Sequence, residues 1–109
     1  MKATIAVGAS LSNGVNLGGQ RVAAIVVPPN TEGSALTFQG SADGVNWYNL
    51  YADESGTTEV SVAITVGAVN VLPRDIFAGI PHLKVRTGTA ASPTAQTGAD
   101  AVLTLLSSS

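Results

Sequence analysis

Apolar and polar residues alternate over short stretches of this chain, and clusters of Gly, Pro, Asn and Ser separate the stretches. Alternation with a period of two is typical of strands that bury one face. Apolar residues at helical spacing do not persist over three turns anywhere. The predicted strands are residues 2–7, 21–27, 35–41, 45–52, 58–66, 68–72, 81–87 and 99–106. This spacing predicts an all-β chain, with residues 1–109 forming a single β-sandwich or jelly-roll-like barrel of seven or eight mostly antiparallel strands.

Two of these strands carry particular expectations. Residues 21–27 are apolar on both faces, which predicts a central strand covered on both sides. Residues 58–66 alternate most cleanly, which predicts one buried and one solvated face. The buried set is Val60, Val62, Ile64 and Val66.

The long connections carry expectations too. We expect residues 1–20 to form an extended N-terminal arm that reaches onto neighbouring molecules. Residues 88–98 contain no large side chain, so we expect a flexible loop that a partner chain orders. Residues 72–80 are expected to make one helical turn that plugs an end of the sandwich.

The hairpin around Asp43-Gly44 allows two registers. A two-residue loop places Trp47 beside Gly40, on the face of Leu36 and Phe38. A three-residue loop pairs residue 41 with residue 45 and turns residues 47, 49 and 51 to the opposite face. A one-residue slip exchanges the two faces. We favour the three-residue loop because it separates apolar from polar residues better, although a Trp47 in the core is the common alternative.

Composition narrows the function. Only 11% of residues are charged, the net charge is −2, and cysteine is absent. Disulfides and thiolate metal sites are therefore excluded, and general nucleic-acid binding is not expected. No segment is apolar enough over roughly 20 residues to predict a membrane span. Such a low charge predicts large neutral faces that identical or other subunits cover.

Catalytic chemistry has little support in the sequence. His82 is the one histidine, on an alternating strand where a solvated side chain is expected. A serine hydrolase would need His82 to meet a serine and a carboxylate, and no Gly-x-Ser-x-Gly elbow is present. We therefore predict no enzyme activity, no metal and no cofactor.

The candidate interaction residues lie on two strands. Trp47, Asn49 and Tyr51 share one predicted outer face. On such a face an aromatic ring is expected to stack on a sugar ring, and an amide side chain to form hydrogen bonds with the sugar hydroxyls. The other group is a basic row, His82, Lys84 and Arg86. Such a row fits contact with an acidic partner surface or nucleic acid, or simply a solvated and protected edge.

Two segments resemble small virion proteins of tailed bacteriophages. Residues 36–51 are similar to their hairpin, with Ser-x-Asp-Gly followed by Trp-Tyr-x-Leu-Tyr. Residues 71–88 continue the similarity, with Leu-Pro, an apolar stretch and Lys-x-Arg. The resemblance implies a capsid decoration, or cement, protein on the outer shell of the virion. It also implies major capsid protein and copies of itself, often as a homotrimer, as partners.

The leading hypothesis is therefore a non-enzymatic structural protein of a phage capsid. A tail- or fibre-associated virion protein has the same sequence features. A carbohydrate-binding β-sandwich module, with a glycan bound at Trp47, Asn49 and Tyr51, is the alternative of another class.

Overall fold

Residues 1–52, 56, 58–73, 76–77 and 79–108 are described by a computed structural model of the chain. Nine strands lie in this part of the chain. They are β1 Lys2–Ile5, β2 Val15–Asn16, β3 Arg21–Val27, β4 Ala35–Ser41, β5 Tyr48–Asn49, β6 Ser61–Ala63, β7 Ala68–Val71, β8 His82–Thr87 and β9 Ala101–Ser108. The all-β prediction is confirmed. Among the described residues, no helix is long and apolar enough to cross a membrane.

The strands form two antiparallel sheets. One has the order β1-β9-β3-β7, and the other has the order β2-β8-β4-β5, with β6 also paired to β4 beside β5. The sheets pack face to face as a sandwich and do not close into a barrel. Each sheet turns alternate residues inward, as the sequence pattern predicts.

The core fills the space between the sheets. Leu36, Phe38 and Val85 of the second sheet face Ile25 and Leu103 of the first, and all five side chains are fully buried. From the 72–80 connection, Phe77 packs edge-on against Phe38, with ring centroids 4.6 Å apart. The expected plug is present in this contact, whereas residues 74, 75 and 78 of the expected helical turn lie outside the described residues.

The first twenty residues correct a prediction. They do not form an extended arm, because β1 pairs with β9 and β2 pairs with β8. Ala3, Ile5 and Leu17 are buried in the core. Their alternating apolar side chains are satisfied within this domain, so the segment completes both sheets of its own chain.

The segment 88–98 corrects a second prediction. Gln96 is fully buried, and its side chain accepts a hydrogen bond from the Glu32 amide at 2.9 Å. It also donates to the Glu32 carbonyl at 2.9 Å and to Thr87 Oγ1 at 3.1 Å. The expectation of a flexible loop counted only apolar side chains. A buried amide with three partners holds Gln96 of this segment against Glu32 and Thr87 of its own chain.

The inward side of residues 58–66 agrees with the predicted alternation, since Val60, Val62 and Ile64 pack against the core. Val66 is an exception, because the chain turns there toward β7 and leaves the side chain exposed.

Candidate interaction surfaces

The outer face of the second sheet collects the predicted site residues. His82, Lys84 and Arg86 alternate outward on β8, and Asn49 lies outward on β5. The observed register pairs Gln39 with Asn49 and Gly40 with Tyr48. This is neither predicted register, because it is shifted by two residues from the three-residue loop. An even shift preserves the faces, so residues 47, 49 and 51 lie on the outer side as that loop predicts.

Asp43 explains the longer connection between β4 and β5. Its Oδ1 atom accepts hydrogen bonds from the amides of Val45 and Asn46, both at 2.9 Å. Ser41 Oγ accepts another from the Gly44 amide at 2.8 Å. These bonds replace ladder pairing within the turn. The two amide hydrogen bonds, from Asn46 first and Val45 second, hold the pKa of Asp43 well below its usual range.

Trp47 lies across this outer face and is half-buried. The Lys84 Nζ atom is 4.7 Å from the centre of its ring, a cation–π contact. The His82 ring approaches edge-on, with centroids 6.4 Å apart. A Cβ at Gly14 would lie 2.8 Å from Trp47 Cζ2, so the indole rests directly on the backbone beside β2. The Trp47 side chain therefore packs on this face, where Lys84, His82 and the Gly14 backbone contact it.

Arg86 corrects the prediction of a basic row open to partners. Its guanidinium is buried and donates to Thr37 Oγ1 at 2.9 Å, Asn49 Oδ1 at 3.1 Å and Glu59 Oε2 at 2.8 Å. The Glu59 carboxylate also accepts from the Ala90 amide at 3.2 Å. Because three side chains share its donors, Arg86 stabilises the sheet and is not available to a partner.

Asn49 and Tyr51 do not form a joint platform with Trp47. Asn49 Oδ1 already accepts from Arg86 and, at 3.2 Å, from Gln39. Tyr51 is exposed and pairs with Glu59, near β6. Trp47 extends the other way, toward Gly14. Four residues of strand separate the two aromatic positions by roughly 13 Å.

Ser41, Asp43 and His82 are neighbours at one end of this face, since Ser41 lies opposite His82 between β4 and β8. The Ser41 hydroxyl donates to Asp43 Oδ1 at 3.0 Å. A serine nucleophile needs its proton directed to the histidine. Here the hydroxyl stabilises the turn. Among the described residues, no three His, Asp or Glu side chains are grouped to hold a metal ion.

A second surface lies on the outer face of the first sheet. We call it the apolar face, defined by Val26, Val69, Val71, Val102 and Leu106. Register places Val71, Ala24 and Leu106 in one row across three strands, and Val69, Val26 and Thr104 in the next. Val71 is 81% exposed and Val69 57% exposed.

The apolar face corrects the expectation for residues 21–27. This strand is central in its sheet, but its outer side is only partly covered by described residues, since buried Ala24 and half-buried Val26 lie there beside the exposed Val71. The signal was present in the sequence of β9, because residues 101–106 carry apolar side chains at outward as well as inward positions, whereas β7 carries both of its valines outward and Ala68 and Asn70 inward. The low content of charged residues predicted that neutral faces exist. The order of the strands was needed to show that one of them is the apolar face.

Comparison with protein-family models, curated proteins and solved structures finds no match to this chain.

Proposed function

We propose that this chain is a non-enzymatic structural protein of a bacteriophage virion, a decoration protein that binds the outer surface of the capsid. Its partners are the major capsid protein and further copies of itself. The apolar face carries the proposal. Exposed apolar side chains in neighbouring rows, interrupted by Thr104 and bordered on β1 by Lys2 and Thr4, are typical of a surface that another protein covers.

The sandwich supports this role through its two unlike faces. On the second sheet, Trp47 and the Arg86–Glu59 pair have partners within the chain. On the first sheet, β7 and β9 contain no charged residue. Contact through β7 and β9 would therefore bury apolar side chains, and the charged Lys2, which lies opposite Thr104 on β1, would lie at the margin of that contact.

The class of particle comes from the resemblance of residues 36–51 and 71–88 to phage virion proteins. These segments contain β4 from residue 36 onward, β5, β8 and the last residue of β7. A decoration protein repeats one contact many times over a shell, so a modest interface is sufficient for lasting attachment.

The test is binding of the purified chain to isolated capsids of its source phage, followed by sedimentation of the capsids. We expect Val102→Lys with Leu106→Lys to weaken binding by at least about tenfold, because two charges would be buried in the contact. Ser61→Lys is the matched control, since it adds a lysine at an exposed strand position on the other sheet. Equal binding by all variants would contradict the proposed face, and absence of the chain from purified virions would contradict the function.

Electron cryomicroscopy of the particle separates a position on the head from one on the tail or fibres. The carbohydrate-binding alternative is tested by a glycan array with the wild-type chain and Trp47→Ala. In the structure, Lys84 lies over the indole and the Asn49 oxygen has two donors, so a sugar would have to displace existing contacts.

A further inference from the structure

The edges of the two sheets differ in how their backbone is protected. β2 and β5 are each only two residues long. β1 is covered along its free side by Asn13. The Thr4 amide donates to Asn13 Oδ1 at 2.8 Å, and the Asn13 amide donates to the Thr4 carbonyl at 3.3 Å. Short or covered edges prevent a strand of another molecule from pairing.

Among the described residues, nothing is hydrogen-bonded to the side of β7 that faces away from β3, over all four of its residues. The Leu72 amide donates to the Ala23 carbonyl at 3.0 Å, so these two residues are a hydrogen-bonded pair in the ladder between β7 and β3. Alternation in an antiparallel ladder then turns the amides and carbonyls of Val69 and Val71 away from β3, toward the free side. The strand carries no charge, proline or bulge, and its two valines are the most exposed residues of the apolar face.

The free edge of β7 is also held in place. Asn70 Oδ1 accepts from the Thr65 amide at 2.8 Å, and Asn70 Nδ2 donates to the Thr65 carbonyl at 3.0 Å. These bonds anchor the turn that precedes the strand. An edge that is already ordered loses little conformational entropy when another strand pairs with it.

We propose that β7 pairs with β7 of a second copy of this chain, antiparallel across a two-fold axis. Val69 then lies opposite Val71 of the second copy, and each of these two pairs exchanges two backbone hydrogen bonds. A second copy fits because the edge is complementary to itself under two-fold rotation and places no like charges together. Pairing of β7 with β1 of another copy would first require Asn13 to leave Thr4.

This pairing joins two four-stranded sheets into one of eight strands and makes the apolar face continuous over both copies. An edge of four residues buries less than the roughly 800 Å² per partner of a standard interface. The dimer is therefore expected to be weak in solution. High local concentration on a repeating surface would favour it. The pairing predicts a dimer, whereas the family resemblance implies a trimer.

The experiment is analytical ultracentrifugation of the chain from about 10 μM to about 1 mM. We expect the mass to rise toward twice the 10.9 kDa of one chain. Val69→Pro should abolish the rise, because it removes an amide donor that faces the free side and is not used by β3. Val71→Lys provides a second variant at a position that is 81% exposed. Ser61→Lys is the control and should associate like the wild type.

Single cysteines test the register, since the chain has no cysteine of its own. An oxidised mixture of Val69→Cys and Val71→Cys chains should form the mixed disulfide in preference to either homodimer. A monomer at about 1 mM, a trimer, or a dimer that survives both edge variants would overturn the pairing. Each of these results leaves capsid binding standing, and absence of the chain from virions would leave the pairing standing.

Discussion

The Arg86–Glu59 pair lies on the outer face of a sheet and yet is largely removed from water. The exposed side-chain fractions are 8% for Arg86 and 17% for Glu59. Glu59→Ala removes the carboxylate that contacts the guanidinium and also removes the acceptor of the Ala90 amide. Arg86 would keep its bonds to Thr37 and Asn49, but among the described residues no other carboxylate is paired with its charge.

The size of the effect follows from this geometry. Removing one partner of a buried ion pair costs roughly 3–5 kcal/mol. The residual exposure of Glu59 lets water reach the guanidinium of the variant, so we expect the lower end, about 3 kcal/mol. For a domain of this size, that loss corresponds to a fall in Tm of roughly 12 °C.

Urea unfolding followed by circular dichroism measures this loss. Lys2→Ala is the control, because Lys2 is an exposed residue and its substitution should change stability by less than about 0.5 kcal/mol. The double variant Glu59→Leu with Arg86→Met removes both charges and should be more stable than the summed single losses predict. A loss below about 1 kcal/mol for Glu59→Ala, or strictly additive losses, would refute the view that the pair is electrostatically buried.

Three further changes have defined outcomes. Gly14→Ala brings a Cβ to 2.8 Å from the indole of Trp47, so the ring should move outward, and a red-shifted tryptophan emission measures this; unchanged emission would contradict the close contact. Gln96→Leu leaves the Glu32 amide and carbonyl without their side-chain partners, so it should destabilise the fold by about 3 kcal/mol. It should also expose residues 88–98 to proteolysis, and resistance equal to that of the wild type would contradict this prediction. Asp43 has a lowered pKa in the fold, so its stabilising contribution is present above the unfolded value of about 4 and is lost as the pH falls toward the lower folded value. Asp43→Asn should make the urea midpoint depend less on pH over that acid range. A pH dependence equal to that of the wild type would contradict this.

The sequence pattern predicted a strand correctly where the alternation of side chains and the residues that end a strand indicated the same bounds. Residues 21–27 and 35–41 were predicted to the residue, because Pro28-Pro29 ends the first and alternating Leu36 and Phe38 mark the second. The 45–52 segment was predicted too long. Hydrogen bonds to the carboxylate of Asp43 hold part of it in a turn, and those bonds depend on three-dimensional geometry.

The candidate site shows the same division. Outward positions for Trp47, Asn49 and the 82–86 row followed from period-two alternation. The burial of Arg86 could not follow from it, because Glu59 is 27 residues away and meets Arg86 only after β6 and β8 pair with opposite sides of β4. A charge that is solvated in one arrangement of strands is paired and covered in another.

By itself, the sequence determined an all-β chain with few charges and therefore with neutral surface to cover, since alternation and composition are local properties. Only the tertiary structure decided where that surface lies. It joined β3, β7 and β9 from distant parts of the chain and turned Val69, Val71 and Leu106 outward on one face. It also covered the β1 edge with Asn13 and left β7 free, because hydrogen-bond partners of an edge are set by strand order.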